Sequence, residues 1–94
     1  CCRGSKSNYR VAVGRSKKVA GPYLDRNGKD MRQGGGTIFL EGDKREFEAA
    51  GHCSAYSFAD GDWFVCHGYS IQKNGAPLLI QKKITWTADG WPRL

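Results

Sequence analysis

Between Gly51 and Tyr69, two runs rich in aromatic and branched residues are joined by Asp60-Gly61. Asp-Gly supplies the positive φ angles of a tight type I′ turn, so the stretch reads as a β-hairpin with Asp60 and Gly61 as its turn residues. That register sets Phe58 opposite Trp63, Tyr56 opposite Val65, Ser54 opposite His67 and His52 opposite Tyr69. Side chains alternate along a strand, so these residues share one face, with Cys53, Ala55, Ser57, Phe64, Cys66 and Gly68 on the other. The turn end of the first face is expected to be an aromatic core. Its far end is polar, with His52 and His67 as diagonal neighbours about 7–8 Å apart, and this end is the candidate site. Two imidazoles are too few for a closed zinc centre, and a histidine in a strand is commonly a partly buried, hydrogen-bonded side chain.

The rest of the chain agrees with a β architecture. Ninety-four residues make one small domain, and thirteen glycines with no long stretch at helical spacing predict an all-β fold with almost no helix. The net charge of +6 permits an acidic polysaccharide or nucleic acid as partner, but the cations are scattered along the chain, which favours a solvated surface over a nucleic-acid interface. No apolar run is long enough to cross a membrane, and no signal peptide or lipidation motif is present. The chain opens on Cys1-Cys2-Arg3-Gly4 without an initiator Met and is expected to be a piece of something longer. Cys53 and Cys66 are diagonal in the register above and are read as small buried residues, whereas Cys1-Cys2 allows either a vicinal bridge or two free thiols.

Taken in order, Tyr9 to Ser16 alternates apolar and polar residues and predicts a strand. Lys17 to Gln33 is turn-rich and irregular, and Gly34-Gly35-Gly36 leads into a short strand at Thr37 to Leu40. The glycine run lacks the Lys-Ser/Thr and the helix of a phosphate loop, so it is read as a bend or a close backbone approach. Glu46 and Glu48 are a closely spaced carboxylate pair. They sit beside Lys44 and Arg45 without an apolar pocket to raise either pKa, and are read as surface charge. Asn74-Gly75 predicts a second hairpin turn, with Leu78 to Thr87 as a third strand. The simplest register then places Lys82 beside His67.

A series of short motifs carries a resemblance. Cys1-Cys2-Arg3-Gly4, Ser7-Asn8-Tyr9, Val13-Gly14-Arg15-Ser16-Lys17, Gly21-Pro22-Tyr23-Leu24-Asp25, Gly34-Gly35-Gly36-Thr37, Gly51-His52, Asn74-Gly75 and Asp89-Gly90-Trp91-Pro92 resemble, in order and over the whole chain, the C-terminal part of the endo-1,5-α-L-arabinanases of glycoside hydrolase family 43. The resemblance implies roughly the last two blades of a five-bladed β-propeller, residues 1–48 forming an incomplete blade and 49–94 the last one. It implies inverting hydrolysis of arabinan or a related plant cell-wall polysaccharide, with the catalytic carboxylates outside this stretch and the 94 residues inactive alone. It implies a secreted, periplasmic or cell-surface protein, whose partners are the polysaccharide and either a missing N-terminal propeller part or further copies of itself.

The same resemblance carries His52 over as a metal-site residue, an inward imidazole that binds calcium or another ion at the propeller centre, directly or through water. His67 and Tyr69, at the polar end of the hairpin face, are the candidate substrate-binding residues. The family's usual Gly-Pro-Gly-His is here Ala49-Ala50-Gly51-His52, and its Tyr-His-x-Tyr-Asp pattern is Cys66-His67-Gly68-Tyr69-Ser70. The alternative function is a non-catalytic carbohydrate-binding or assembly piece that uses its aromatic side chains as sugar platforms.

Overall fold

A computed structural model describes residues 2–94. The strands are β1 (Arg10–Val13), β2 (Thr37–Glu41), β3 (Phe47–Phe58), β4 (Gly61–Ser70), β5 (Ala76–Lys83), β6 (Thr85–Trp86) and β7 (Pro92–Arg93), and the helical structure among the described residues is two 3-10 turns, Gly4–Lys6 and Met31–Gln33. All pairings are antiparallel: β1 with β2, β3-β4-β5 as a meander, and β6 with β7. The all-β expectation therefore holds. Cys1, and with it the choice between a Cys1-Cys2 bridge and two free thiols, lies outside the described residues.

The central hairpin forms where Asp60-Gly61 places it, but its turn residues are Ala59 and Asp60, because Phe58 pairs with Gly61. Tyr56 consequently faces Trp63, and Ser54 faces Val65. Asp60 anchors this turn by accepting a hydrogen bond from the Trp63 indole N–H at 3.0 Å. Gly61 opens β4 instead of closing the turn, and the space where its side chain would stand is taken by Lys83, whose Cε lies 2.5 Å from an ideal Cβ there.

A displacement of two residues leaves each side chain on its expected side of the hairpin's outer half, but the core lies on the other side from the one expected. Tyr56 is 69% exposed and Phe58 59% exposed. Ala50, Phe64, Cys66 and Ile80 form the buried cluster instead, closed by Val11, Phe39, Leu40 and Phe47. The reason is coverage: β1 and β2 lie over this face, with Phe39 meeting Phe64 edge to face at 5.0 Å, and a sheet face becomes core only where a second layer removes it from water. Cys66 is buried as expected, and burial pushes its thiol pKa up, whereas Cys53 is exposed.

The β4-β5 connection also departs from the simple expectation. Ser70 pairs with Ala76, so the link is a five-residue loop, with Asn74 and Gly75 at positive φ near its end. Relative to a two-residue turn, β5 slips by an odd number of residues and turns over against β4. Leu79, not Lys82, lies beside His67; Lys82 pairs with Phe64, and Ile80 joins Cys66 in the core. The strand ends at Lys83 rather than continuing to Thr87, and Ile84 donates its backbone N–H to the Asp62 carbonyl at 2.7 Å.

Carboxylates pin the loops. Asp25 Oδ1 accepts from the amides of Asn27 and Lys29, both at 2.9 Å, and its Oδ2 accepts from Gly36 at 3.0 Å. Asp43 Oδ1 accepts from Arg45, Glu46 and Phe47 at 2.9 Å each. Asp62 ties the hairpin to β6 by accepting from the Ser57 hydroxyl at 2.5 Å and the Trp86 indole at 2.7 Å. These donors favour the ionised forms and hold all three carboxyls below their ordinary 3.8. A folded-state pKa that is depressed contributes stability that is present above the unfolded value and lost as pH falls through the folded one. The urea midpoint should therefore fall most steeply below about pH 4, and Asp43→Asn should flatten that decline. An unchanged slope in the variant would show that the loop carboxylate is not responsible.

Candidate functional site

The polar end of the meander is shaped by a β-bulge. Gly51 pairs with His67 and Ser54 with Val65, so His52 and Cys53 together span the single β4 residue Cys66. His52 accommodates the extra residue by adopting φ 54, the left-handed region that non-glycine side chains seldom enter. Backbone strain of this kind is tolerated where surrounding structure enforces it, and it concentrates at functional sites. The residue before His52 is packed under Tyr9, whose ring lies over Gly51 closely enough that a Cβ at that position would stand 2.7 Å from it. The Tyr9 carbonyl also accepts the Ala50 amide at 3.2 Å.

The bulge swings the exposed His52 ring towards His67, giving a centroid separation of 5.8 Å at 43°. His67 is half-buried. Its ring meets Tyr69 edge to face at 5.1 Å and Tyr9 at 6.2 Å. Tyr69 itself is buried. The structure thus brings His52, His67 and Tyr69 into one aromatic group. Nε2 of His67 is buried and has no hydrogen-bond partner among the described residues, which carries a desolvation cost of about 1–3 kcal/mol. Beside the group runs a cleft of about 370 Å³, lined by Arg3, His67, Tyr69, Pro77, Leu78 and Leu79. Tyr9 and Arg3 were not singled out as site residues from the sequence. Tyr9 reads there only as an apolar strand residue, and nothing local announces that the N-terminal segment folds against β3 and β4.

What the site can do chemically is limited by what it lacks. Glu48 is ion-paired to Lys44 at 2.9 Å on the surface, consistent with the surface-charge reading. Among the described residues no three of His, Cys, Asp or Glu gather as a metal cage. One exposed imidazole offers a single nitrogen, which suits a hydrated ion held through one direct or water-mediated contact and not a closed coordination shell.

The sequence pattern of Glycosyl hydrolases family 43 matches residues 1–92. The chain belongs to this family. It is 44% identical over 94 residues to an extracellular exo-α-(1→5)-L-arabinofuranosidase of Cellvibrio japonicus, covering all of this chain and 27% of that protein. It is 40% identical over 92 residues to an extracellular endo-α-(1→5)-L-arabinanase of Bacillus subtilis, covering 98% and 27%. The crystal structure of an exo-1,5-α-L-arabinanase from a bovine ruminal metagenomic library superposes with a TM-score of 0.93 at 49% identity, over 99% of this chain and 30% of that one. The chain therefore spans about a quarter to a third of the length of these relatives. The antiparallel sheets described above are part of the five-bladed β-propeller of family 43.

Proposed function

We propose that this family 43 chain is the C-terminal portion of an inverting hydrolase acting on arabinan or a related plant cell-wall polysaccharide, secreted or held at the cell surface, with its acid and base supplied by a preceding part of the propeller. Residues 1–48 are assigned to an incomplete blade and 49–94 to the last blade. The observation that carries the reading is the family match along nearly the whole chain, to relatives named as arabinan-cleaving enzymes. In this reading His52 holds calcium or another ion near the propeller centre through one nitrogen or an intervening water. His67 and Tyr69 form part of the groove wall, and the unpartnered Nε2 of His67 receives its hydrogen bond from, or gives it to, a sugar hydroxyl or an ordered water.

Paired variants of the whole enzyme test these roles. His67→Phe removes the unsatisfied nitrogen and should stabilise the fold by about 1 kcal/mol while weakening arabino-oligosaccharide binding. A structural role alone would lower stability and leave binding as it was. His52→Gly suits the left-handed backbone, offers no side-chain ligand, and should lower calcium affinity by at least about tenfold in titration calorimetry. Unaltered calcium binding would remove His52 from the ion site.

A second reading, a non-catalytic carbohydrate-binding or assembly piece, is favoured by the open face that carries Tyr56 and Phe58, with ring centroids 5.0 Å apart. Self-association of the chain in light scattering, together with a fluorescence response to arabino-oligosaccharides in the absence of any hydrolytic portion, would support it.

A further inference from the structure

We propose that the cleft between the 15–28 connection and the C-terminal turn is a separate glycan-binding site that selects sugars carrying a carboxylate. The cleft measures about 800 Å³, within the range of ligand sites, and its walls include Arg15, Lys17, Lys18, Arg26, Pro22 and Trp91. Arg15, Lys17 and Lys18 are near neighbours in the sequence, and the fold brings Arg26 and the distant Asp89 and Trp91 to them.

Two of the cations are held in place. The Arg15 guanidinium lies 4.4 Å from the centroid of the Trp91 ring and donates through Nη1 to the Asp89 carbonyl at 2.6 Å. The Arg26 guanidinium lies 6.0 Å from the same ring and pairs with Asp89 Oδ1 at 3.5 Å. One indole and one aspartate thus position both guanidiniums, which reduces the ordering cost that a free arginine bears on binding. A guanidinium carries five N–H donors in a planar fork matched to a carboxylate, so the contacts described leave capacity for a ligand.

The lining carboxylates do not neutralise the site. Asp25 turns both oxygens to backbone amides of its own loop, and Asp89 accepts the Thr87 hydroxyl at 2.5 Å besides pairing with Arg26. Lys17 and Lys18 are exposed at the rim, giving four cations to two carboxylates around the cleft. Pro22 and Leu24 add an apolar wall for the C–H face of a sugar ring. Trp91 is only 5% exposed, so its ring is not open to a stacked base as single-stranded nucleic-acid sites require.

This site stands apart from the His52, His67 and Tyr69 group; only the choice of a sugar as the carboxylate's carrier rests on the family 43 reading. The test is calorimetric titration of the protein containing this chain with trigalacturonate, with neutral arabinotriose as the comparison. Saturable trigalacturonate binding is expected, weakened about tenfold or more by the Lys17→Glu and Lys18→Glu double variant and by Arg26→Gln, with linear-arabinan hydrolysis unchanged. Wild-type affinity in both variants would overturn the assignment. So would equal competition by a single-stranded oligonucleotide of matching charge, which would mark a general polyanion surface. A protein inactive on arabinan that still binds trigalacturonate at this cleft would sink the hydrolase reading and leave this one standing.

Discussion

Purified alone, the 94-residue chain should release no measurable sugar from linear arabinan, a loss of at least about 10⁶-fold against the whole enzyme. Inverting hydrolysis needs one carboxylic acid held protonated and one carboxylate base, about 6.5–9.5 Å apart to admit water. A general acid at neutral pH is made by burying a carboxyl among apolar groups so that its pKa rises. Every carboxyl with a resolved shift here moves the other way. Asp25 and Asp43 are held low by backbone amides, Asp62 by Ser57 and Trp86, and Asp89 by the Thr87 hydroxyl first and the nearby arginines after it. These groups are ionised loop anchors, and Glu48 is committed to Lys44. A reducing-sugar assay on the chain with and without the remaining portion of the enzyme checks this. Turnover by the chain alone would overturn the division of labour proposed above.

Gly75→Ala should destabilise the chain by about 3 kcal/mol or more, a large share of the roughly 5–14 kcal/mol expected for a domain of this length. Two costs combine. Gly75 has φ +82, where an L side chain is strained by about 1–2 kcal/mol. A Cβ there would also stand 2.8 Å from Gly4 Cα and 2.9 Å from the Gly4 carbonyl carbon, with the Ser5 amide nitrogen nearer still. All three atoms are backbone, so relief requires the N-terminal turn to lift off the β4-β5 loop. Gly28 provides the control: it has the same φ, +82, with nothing within 4 Å of the corresponding Cβ, so Gly28→Ala should cost only the backbone strain. Thermal denaturation should separate the two variants by roughly 10 °C. Equal losses would mean that the docking of Gly4 and Ser5 against the loop contributes nothing.

Docking of the N-terminal turn on β3 and β4 also bears on the candidate site, because it brings in Arg3 and leads the chain to Tyr9. Tyr9 lies over Gly51 and helps define the bulge that aims His52. A Gly51→Ala change would force that ring to move, since its Cγ stands 2.7 Å from the Cβ position. The site is thus built by segments far apart in the chain.

What could be read from residues alone were the features that local chemistry controls. Alternation of apolar and polar residues located β1, the short run after Gly34-Gly35-Gly36 located β2, and the turn-forming dipeptides Asp60-Gly61 and Asn74-Gly75 located both connections of the meander. The absence of helical periodicity excluded helices, and the motif series pointed to the family. Turn length was not legible: Asp60 serves in one turn while Gly61 belongs to the strand, and Asn74-Gly75 closes a loop of five residues instead of forming a two-residue turn. Each difference changed the register, and the odd slip in β5 exchanged Lys82 for Leu79 beside His67. The identity of the core face was equally out of reach, since both faces of the hairpin carry apolar residues. Tyr56 and Phe58 remain exposed while Phe64 and Cys66 are buried, because only one face is covered by β1 and β2. Alternation and turn propensity act over a few residues and are written along the chain, whereas burial depends on which distant segment lies across a face, and only the folded arrangement supplies that.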